Sequence, residues 1–160
     1  MKYYLAYGSN LNVEQMQFRC PGAKVVGVGE IENYELMFKG SKSGNYLTIE
    51  PKEGSYVPVA VWKVTNAHEK ALDRYEGYPN FYYKKEMPIE YVDKNGEQHT
   101  VDAFAYIMHE DRKRGKPTRY YVNTCLNGYV HFGFDIKLLR TAIAISANRR
   151  GSDDIRRMVR

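Results

Sequence analysis

Cysteine is nearly missing from this 160-residue chain: there are two, Cys20 and Cys125, far apart and neither in a Cys-x-x-Cys pair. That excludes a disulfide framework and points to reduced thiols in a cytoplasmic protein. Long apolar runs are missing as well. The short run behind Lys2 is far below the length of a secretion signal or a membrane span, so no membrane partner is expected. There is no nucleotide loop, since Gly27-Val28-Gly29 lacks a third glycine and Gly40-Ser41-Lys42-Ser43-Gly44 lacks the P-loop spacing. His68, His99, His109 and His131 lack the pairing with Cys, His or carboxylates that a zinc site shows, and each reads as a surface residue. By ligand type the nearest approach to a metal site is His109-Glu110-Asp111. Cys20, ahead of Pro21-Gly22, has no sequence neighbour that would lower its pKa, which argues against a thiolate nucleophile.

What is present fits one folded unit. A hydrophobic content of 43% over this length supports a single core. The net charge of +5 is uneven: residues 149–160 carry five Arg against two Asp, or +3, leaving +2 for the body. A single domain over 1–148 followed by a solvated basic tail is expected, and the tail should be removable without loss of fold. Nothing in the pattern specifies an oligomer.

The chain opens on Tyr4-Leu5-Ala6-Tyr7, a strand-forming run that stops at Gly8-Ser9-Asn10. Glycine admits backbone conformations closed to other residues, and Ser and Asn bond nearby amides, so the strand should end in a tight turn with N–H groups exposed to an anion or oxyanion. Asn12 caps a short helix to about Cys20. Residues 23–39 read as two strands with a kink or bulge, 45–50 and 57–61 as two more, with Pro58 at an edge or a strand start. Asn66 is placed to cap a helix with Glu69 at the capping-box position, ending at Glu76-Gly77. There the negative end of the helix dipole disfavours a carboxylate, so Glu76 stands in a poor local position among Tyr75, Tyr78, Phe81, Tyr82 and Tyr83. Asn95-Gly96 marks a hairpin between residues 81–92 and 97–108. Thr118 caps a helix carrying Tyr121, and Gly133 separates it from a last helix near 135–148. Together these give an α+β fold with a mostly antiparallel sheet.

A carboxylate packed among rings loses hydration and becomes a better base near neutral pH. Three segments together resemble the γ-glutamylcyclotransferase-like family: Tyr7-Gly8-Ser9-Asn10-Leu11, Leu72-Asp73-Arg74-Tyr75-Glu76-Gly77-Tyr78-Pro79, and Pro117-Thr118-Arg119-Tyr120-Tyr121 running on to Gly128-Tyr129. The resemblance implies a mixed, mostly antiparallel β-barrel with surrounding helices. It also implies an intramolecular aminolysis that releases 5-oxoproline from a γ-glutamyl amide, without metal or cofactor. Carried over by position, Glu76 is the acid/base, Tyr7, Gly8, Ser9, Asn10 and Leu11 form the substrate-binding turn, and Tyr121 takes the substrate's polar end. Tyr82 stands at the spacing of another pocket tyrosine, with Tyr83 as its alternative. Phe134 stands where relatives commonly have Leu.

Two other functional classes compete with this one. A basic, tyrosine-rich module could stack on single-stranded nucleic acid, with Arg112, Lys113, Arg114, Lys116 and Arg119 along the phosphates. The tyrosines, however, are spread along the chain instead of interleaving with that cluster. A relative that binds a metabolite without turning it over would have no use for a desolvated base, and Glu76 argues against it.

Overall fold

The computed structural model describes residues 1–158, with side chains described to residue 147. Two long hairpins and one short strand build the barrel. Strand β1 (Lys2–Ala6) runs antiparallel to β3 (Gly44–Val64), with Lys2 opposite Val64 and Ala6 opposite Ala60, and parallel to β5 (Gln98–Met108) at Tyr4 and Phe104. Strand β4 (Tyr82–Val92) pairs with β5 from Tyr82 opposite Met108 to Val92 opposite Gln98. Strand β2 (Lys24–Ser41) pairs with β3 along the whole hairpin and with β4 at Val28 and Gly29. The order β3-β1-β5-β4-β2 thus returns to β3, and a two-residue strand, β6 (Lys113–Arg114), adds to β2 at Lys39 and Gly40. This is a closed five-stranded mixed barrel within an α+β fold.

The seam between β2 and β4 depends on glycine. A Cβ on Gly27 would lie 2.3 Å from the Val92 carbonyl oxygen, and one on Gly29 would lie 2.5 Å from that of Glu90. Only bare backbone lets the strands cross this closely. Where two strands were expected over 23–39, one continuous strand forms, with register shifts at Val25/Gly27 and at Glu32/Tyr34 beside Asn33, whose φ is +61°. Strand β3 likewise absorbs the two expected strands over 45–50 and 57–61. Pro58 is tolerated because β1 pairs with β3 only from Ala60 onward, so Pro58 has a ladder partner, Glu30, on one side alone.

Leu5, Ala6, Val57, Val59, Val61, Trp62 and Ile107 are all buried, and because strand neighbours point to opposite faces, Leu5/Ala6 and Val61/Trp62 show that both sides of the sheet are covered. Helix α1 (Val13–Arg19) is capped by Asn12, whose side chain accepts from the Gln15 amide. Helix α2 (Asn66–Glu76) is capped by Thr65 and not by Asn66: Thr65 accepts from the His68 amide, and its own amide donates to His68 Nδ1. Glu69, expected in the capping box, is instead buried and accepts from Lys84 at 2.8 Å and Lys2 at 2.9 Å. The shift follows from desolvation, because a carboxylate against the barrel gains more from two ammonium groups than from one amide. Helix α3 (Arg119–Phe132) is capped by Thr118, and Gly133 in the left-handed conformation closes it. Helix α4 (Ile136–Met158) packs on β2, with Ser146 Oγ accepting from the Phe38 amide. Its backbone continues as helix beyond the expected end at 148, while the side chains of the basic segment 149–160 lie outside the described residues. No described helix is long and apolar enough to cross a membrane.

Candidate active site

The three segments singled out in the sequence meet at one cavity of about 260 Å³. Strand β1 ends at Ala6, and the chain then passes through Tyr7 and Gly8 into a single 3-10 turn over Ser9–Leu11. A turn this short bonds Leu11 N to Gly8 O and leaves the first amides, those of Ser9 and Asn10, without a carbonyl of their own turn. Helix α2 enters from a second side and ends at Glu76, the residue before Gly77 in the left-handed conformation. Helix α3 brings Tyr121 from a third side, close enough that a Cβ on Gly8 would lie 3.3 Å from its hydroxyl.

Tyrosines make the wall, and hydrogen bonds to the protein hold several of their hydroxyls. Tyr7 donates to the Tyr106 carbonyl at 2.6 Å, Tyr106 to Asp73 at 2.6 Å, and Tyr82 to the Leu47 carbonyl at 2.8 Å. The Tyr121 hydroxyl accepts from the Leu47 amide at 3.1 Å, which leaves its own proton to donate. One residue of β3, Leu47, therefore holds two pocket rings, and the side chains have little freedom left to lose when a ligand binds. Tyr4, Tyr46, Tyr75 and Phe81 also line it.

Glu76 faces this wall with no hydrogen bond to its carboxylate among the described residues. Burial disfavours the charged form and pushes the carboxyl up to about 8, against the pull of the nearby Arg19 guanidinium. It is the carboxyl of the cavity, which it lines together with the amide turn.

Glu76, Tyr7, Gly8, Ser9, Asn10, Tyr82 and Tyr121 all line the cavity; Leu11 does not. Its side chain is fully buried beneath the turn, where a Cβ on Gly128 would come within 2.4 Å of it, so Leu11 seats the turn on α3. The side chains of Ser9 and Asn10 are engaged elsewhere, Ser9 with the Tyr75 hydroxyl at 2.9 Å and Asn10 with Tyr4 and Arg19. Their backbone amides, by contrast, have no backbone acceptor among the described residues. Strand alternation settles the choice between neighbours: Tyr82 points inward, while Tyr83 points out and donates to Glu110. Tyr106, Tyr46 and Arg19 carried no local signal in the sequence, because register and helix docking bring them here.

The remaining sequence candidates stay outside the cavity. Cys20 is buried, bonded to the His68 carbonyl and pushed up to about 11 by desolvation. His109 bonds the Pro79 carbonyl at 2.7 Å and His68 that of Pro21 at 2.7 Å. His99, read as unpaired, bonds Asp93 at 2.8 Å; with Glu97 these two form a potential metal-ligand group, at the β4–β5 turn and not at His109-Glu110-Asp111. Asp93 also accepts from the Asn95 and Glu97 amides, so closing the hairpin accounts for its position.

Comparison with known proteins yields matches of sequence and of fold. The profile of a family described as gamma-glutamyl cyclotransferase, AIG2-like, matches residues 4–123. The gamma-glutamylcyclotransferase of Bos taurus is 31% identical over 112 residues, which are 66% of this chain and 58% of the bovine protein. The chain thus matches less than two thirds of that relative's length. The Homo sapiens gamma-glutamylcyclotransferase is 25% identical over 152 residues, 91% of this chain and 79% of the human one. A solved gamma-glutamyl cyclotransferase superposes with a TM-score of 0.75 at 24% identity, covering 89% of this chain and 86% of that one, a likeness of fold.

Proposed function

Because the chain belongs to the gamma-glutamyl cyclotransferase, AIG2-like family, we propose that it is a γ-glutamyl cyclotransferase, converting a γ-glutamyl amide to 5-oxoproline and a free amine in the cytoplasm. The observation that carries this reading is Glu76: a carboxyl pushed up to about 8, without a bonding partner among the described residues, in one tyrosine-lined cavity with the amide turn. A free α-ammonium titrates near ~8, so proton transfer between the two is nearly balanced.

The reaction balances on this one residue. Ionised Glu76 takes a proton from the substrate's α-ammonium, and the freed nitrogen attacks the γ-carbonyl carbon of the same molecule to close a five-membered ring. The carbonyl oxygen becomes an oxyanion, and on this reading the amides of Ser9 and Asn10, free of a carbonyl in their own turn, are its donors. As the oxyanion collapses, protonated Glu76 gives its proton to the departing nitrogen and the bond to it breaks. The ring nitrogen, left with one proton too many by the attack, loses it through Glu76 to the released amine, so the products are the neutral lactam and an ammonium. No net proton, electron or cofactor is needed. Because attack is intramolecular, the enzyme's task is to hold the folded conformer, with Tyr7 and Tyr82 as walls and the Tyr121 hydroxyl as donor to the substrate's polar end. At about 260 Å³ the cavity lies just below the roughly 300–1,000 Å³ of drug-sized sites, which suits a glutamyl group whose amine half leaves through the mouth.

The test is to incubate the protein with a panel of γ-glutamyl amines, amino acids and short peptides and to assay 5-oxoproline. Release from at least one class is expected. Ligand binding without product throughout the panel would sink the catalytic reading in favour of a metabolite binder.

A further inference from the structure

Arg19, the last residue of α1, has no sequence feature that marks it as functional, yet its guanidinium sits at the junction of the two halves of the site. One Nη donates to Asn10 Oδ1 at 2.6 Å and the other to Gln15 Oε1 at 2.7 Å. Its planar face lies 3.5 Å over the ring of Tyr75, the residue before Glu76. Tyr75 in turn bonds Ser9 at 2.9 Å, and Asn10 donates to Tyr4 at 2.9 Å. The contacts close a circuit from α1 to the 3-10 turn, across to the end of α2, and back. Among the described residues no carboxylate forms an ion pair with Arg19, so its charge is not neutralised locally.

We propose, building on the cyclotransferase reading, that Arg19 is a positioning residue for the reaction: it locks the turn that carries the amide donors to the helix end that carries Glu76, and it is the cation facing that carboxylate. Three features support this. Asn10 is 2% exposed, and without Arg19 its Oδ1 would be left buried and unpaired, a loss that falls directly on the turn. The fork of the guanidinium reaches two acceptors while its face covers a ring, a combination an ammonium cannot reproduce. Thirdly, the other titratable groups that act on or are acted on by Glu76 are tyrosines: Tyr4 from β1, Tyr7 just beyond it, Tyr75 from α2, Tyr82 from β4, Tyr106 from β5 and Tyr121 from α3. All of them are shifted upward and stay neutral at physiological pH. Arg19 alone opposes the desolvation of the base.

The experiment compares parent, Arg19→Met and Arg19→Lys on one substrate, so that the titration of the substrate's own amine is common to all. For Arg19→Met the acidic limb of the kcat profile is expected to move to higher pH, lowering kcat near neutrality by about tenfold or more and recovering part of it in alkali. Arg19→Lys should return the limb toward the parent's position while kcat stays several-fold low, because charge is restored and the fork is not. A uniform loss at every pH in Arg19→Met would mean a merely structural residue, and an unchanged limb would overturn the proposal. A second readout needs no turnover: the melting-temperature difference between each Arg19 variant and its own Glu76→Gln double variant, followed against pH. The Glu76 penalty should keep growing to higher pH when Arg19 is Met, and identical curves would overturn the proposal even if the parent proved inactive. Inactivity of the parent alone would fall on the cyclotransferase reading instead.

Discussion

At the scale of single residues the site turns on the proton of Glu76. In the unfolded chain a glutamate titrates near ~4.3, whereas in the folded protein burial pushes this one up to about 8. Between those values the native state holds a proton that the unfolded state lacks, so stability falls as pH rises through the window, and the cost is complete above the folded value. Glu76→Gln is therefore expected to melt higher than the parent in alkali, by on the order of 5 °C, with the difference vanishing toward pH ~4. Calorimetry across pH checks this, and a gap independent of pH would mean that Glu76 is hydrated. The same substitution keeps shape but cannot accept a proton, so kcat should fall by on the order of 10² or more while KM changes modestly. Release of 5-oxoproline at the parent rate would reduce Glu76 to a structural helix end.

Elements act by carrying such residues to their places. Helix α2 is aimed by its start: Thr65 and His68 form the capping box, while Asn66 lies just inside the helix. Thr65→Ala should cost about 1 kcal/mol and Asn66→Ala much less, measured by urea denaturation. The reverse ranking would restore the sequence expectation that Asn66 is the cap. Helix α3 reaches the turn only because residue 128 is glycine, with Leu11 against it. Gly128→Val should push α3 outward, destabilise the fold by roughly 1–3 kcal/mol and raise KM through displacement of Tyr121. Stability and KM both at parent values would show that the interface gives way without cost.

For the molecule as a whole, closure of the barrel is decided where β2 meets β4, and Gly27→Ala would place a methyl within 2.3 Å of a carbonyl oxygen. A loss of several kcal/mol, on the order of 3 or more, is expected from thermal or urea unfolding, since backbone on both sides leaves nothing flexible to yield. What could be read from the chain alone was whatever is encoded by near neighbours. The break at Gly8-Ser9-Asn10, the Asn95-Gly96 hairpin, the caps at Asn12 and Thr118 and the helix end at Glu76 depend on local backbone preference and on bonds spanning three or four residues, so sequence order suffices to state them. The three motifs likewise named the segments that meet. Tertiary structure alone decided the rest, because the causes lie far apart in the chain. Ring closure needed β2 beside both β3 and β4; the choice of Tyr82 over Tyr83 needed the strand's register; Leu11 turned under the cavity because α3 lies against it. Glu69 left the capping box for two lysines from other strands. The desolvation that makes Glu76 a base, and the Arg19 charge that restrains it, exist only once β1, β4, β5, α1 and α3 converge around one carboxylate.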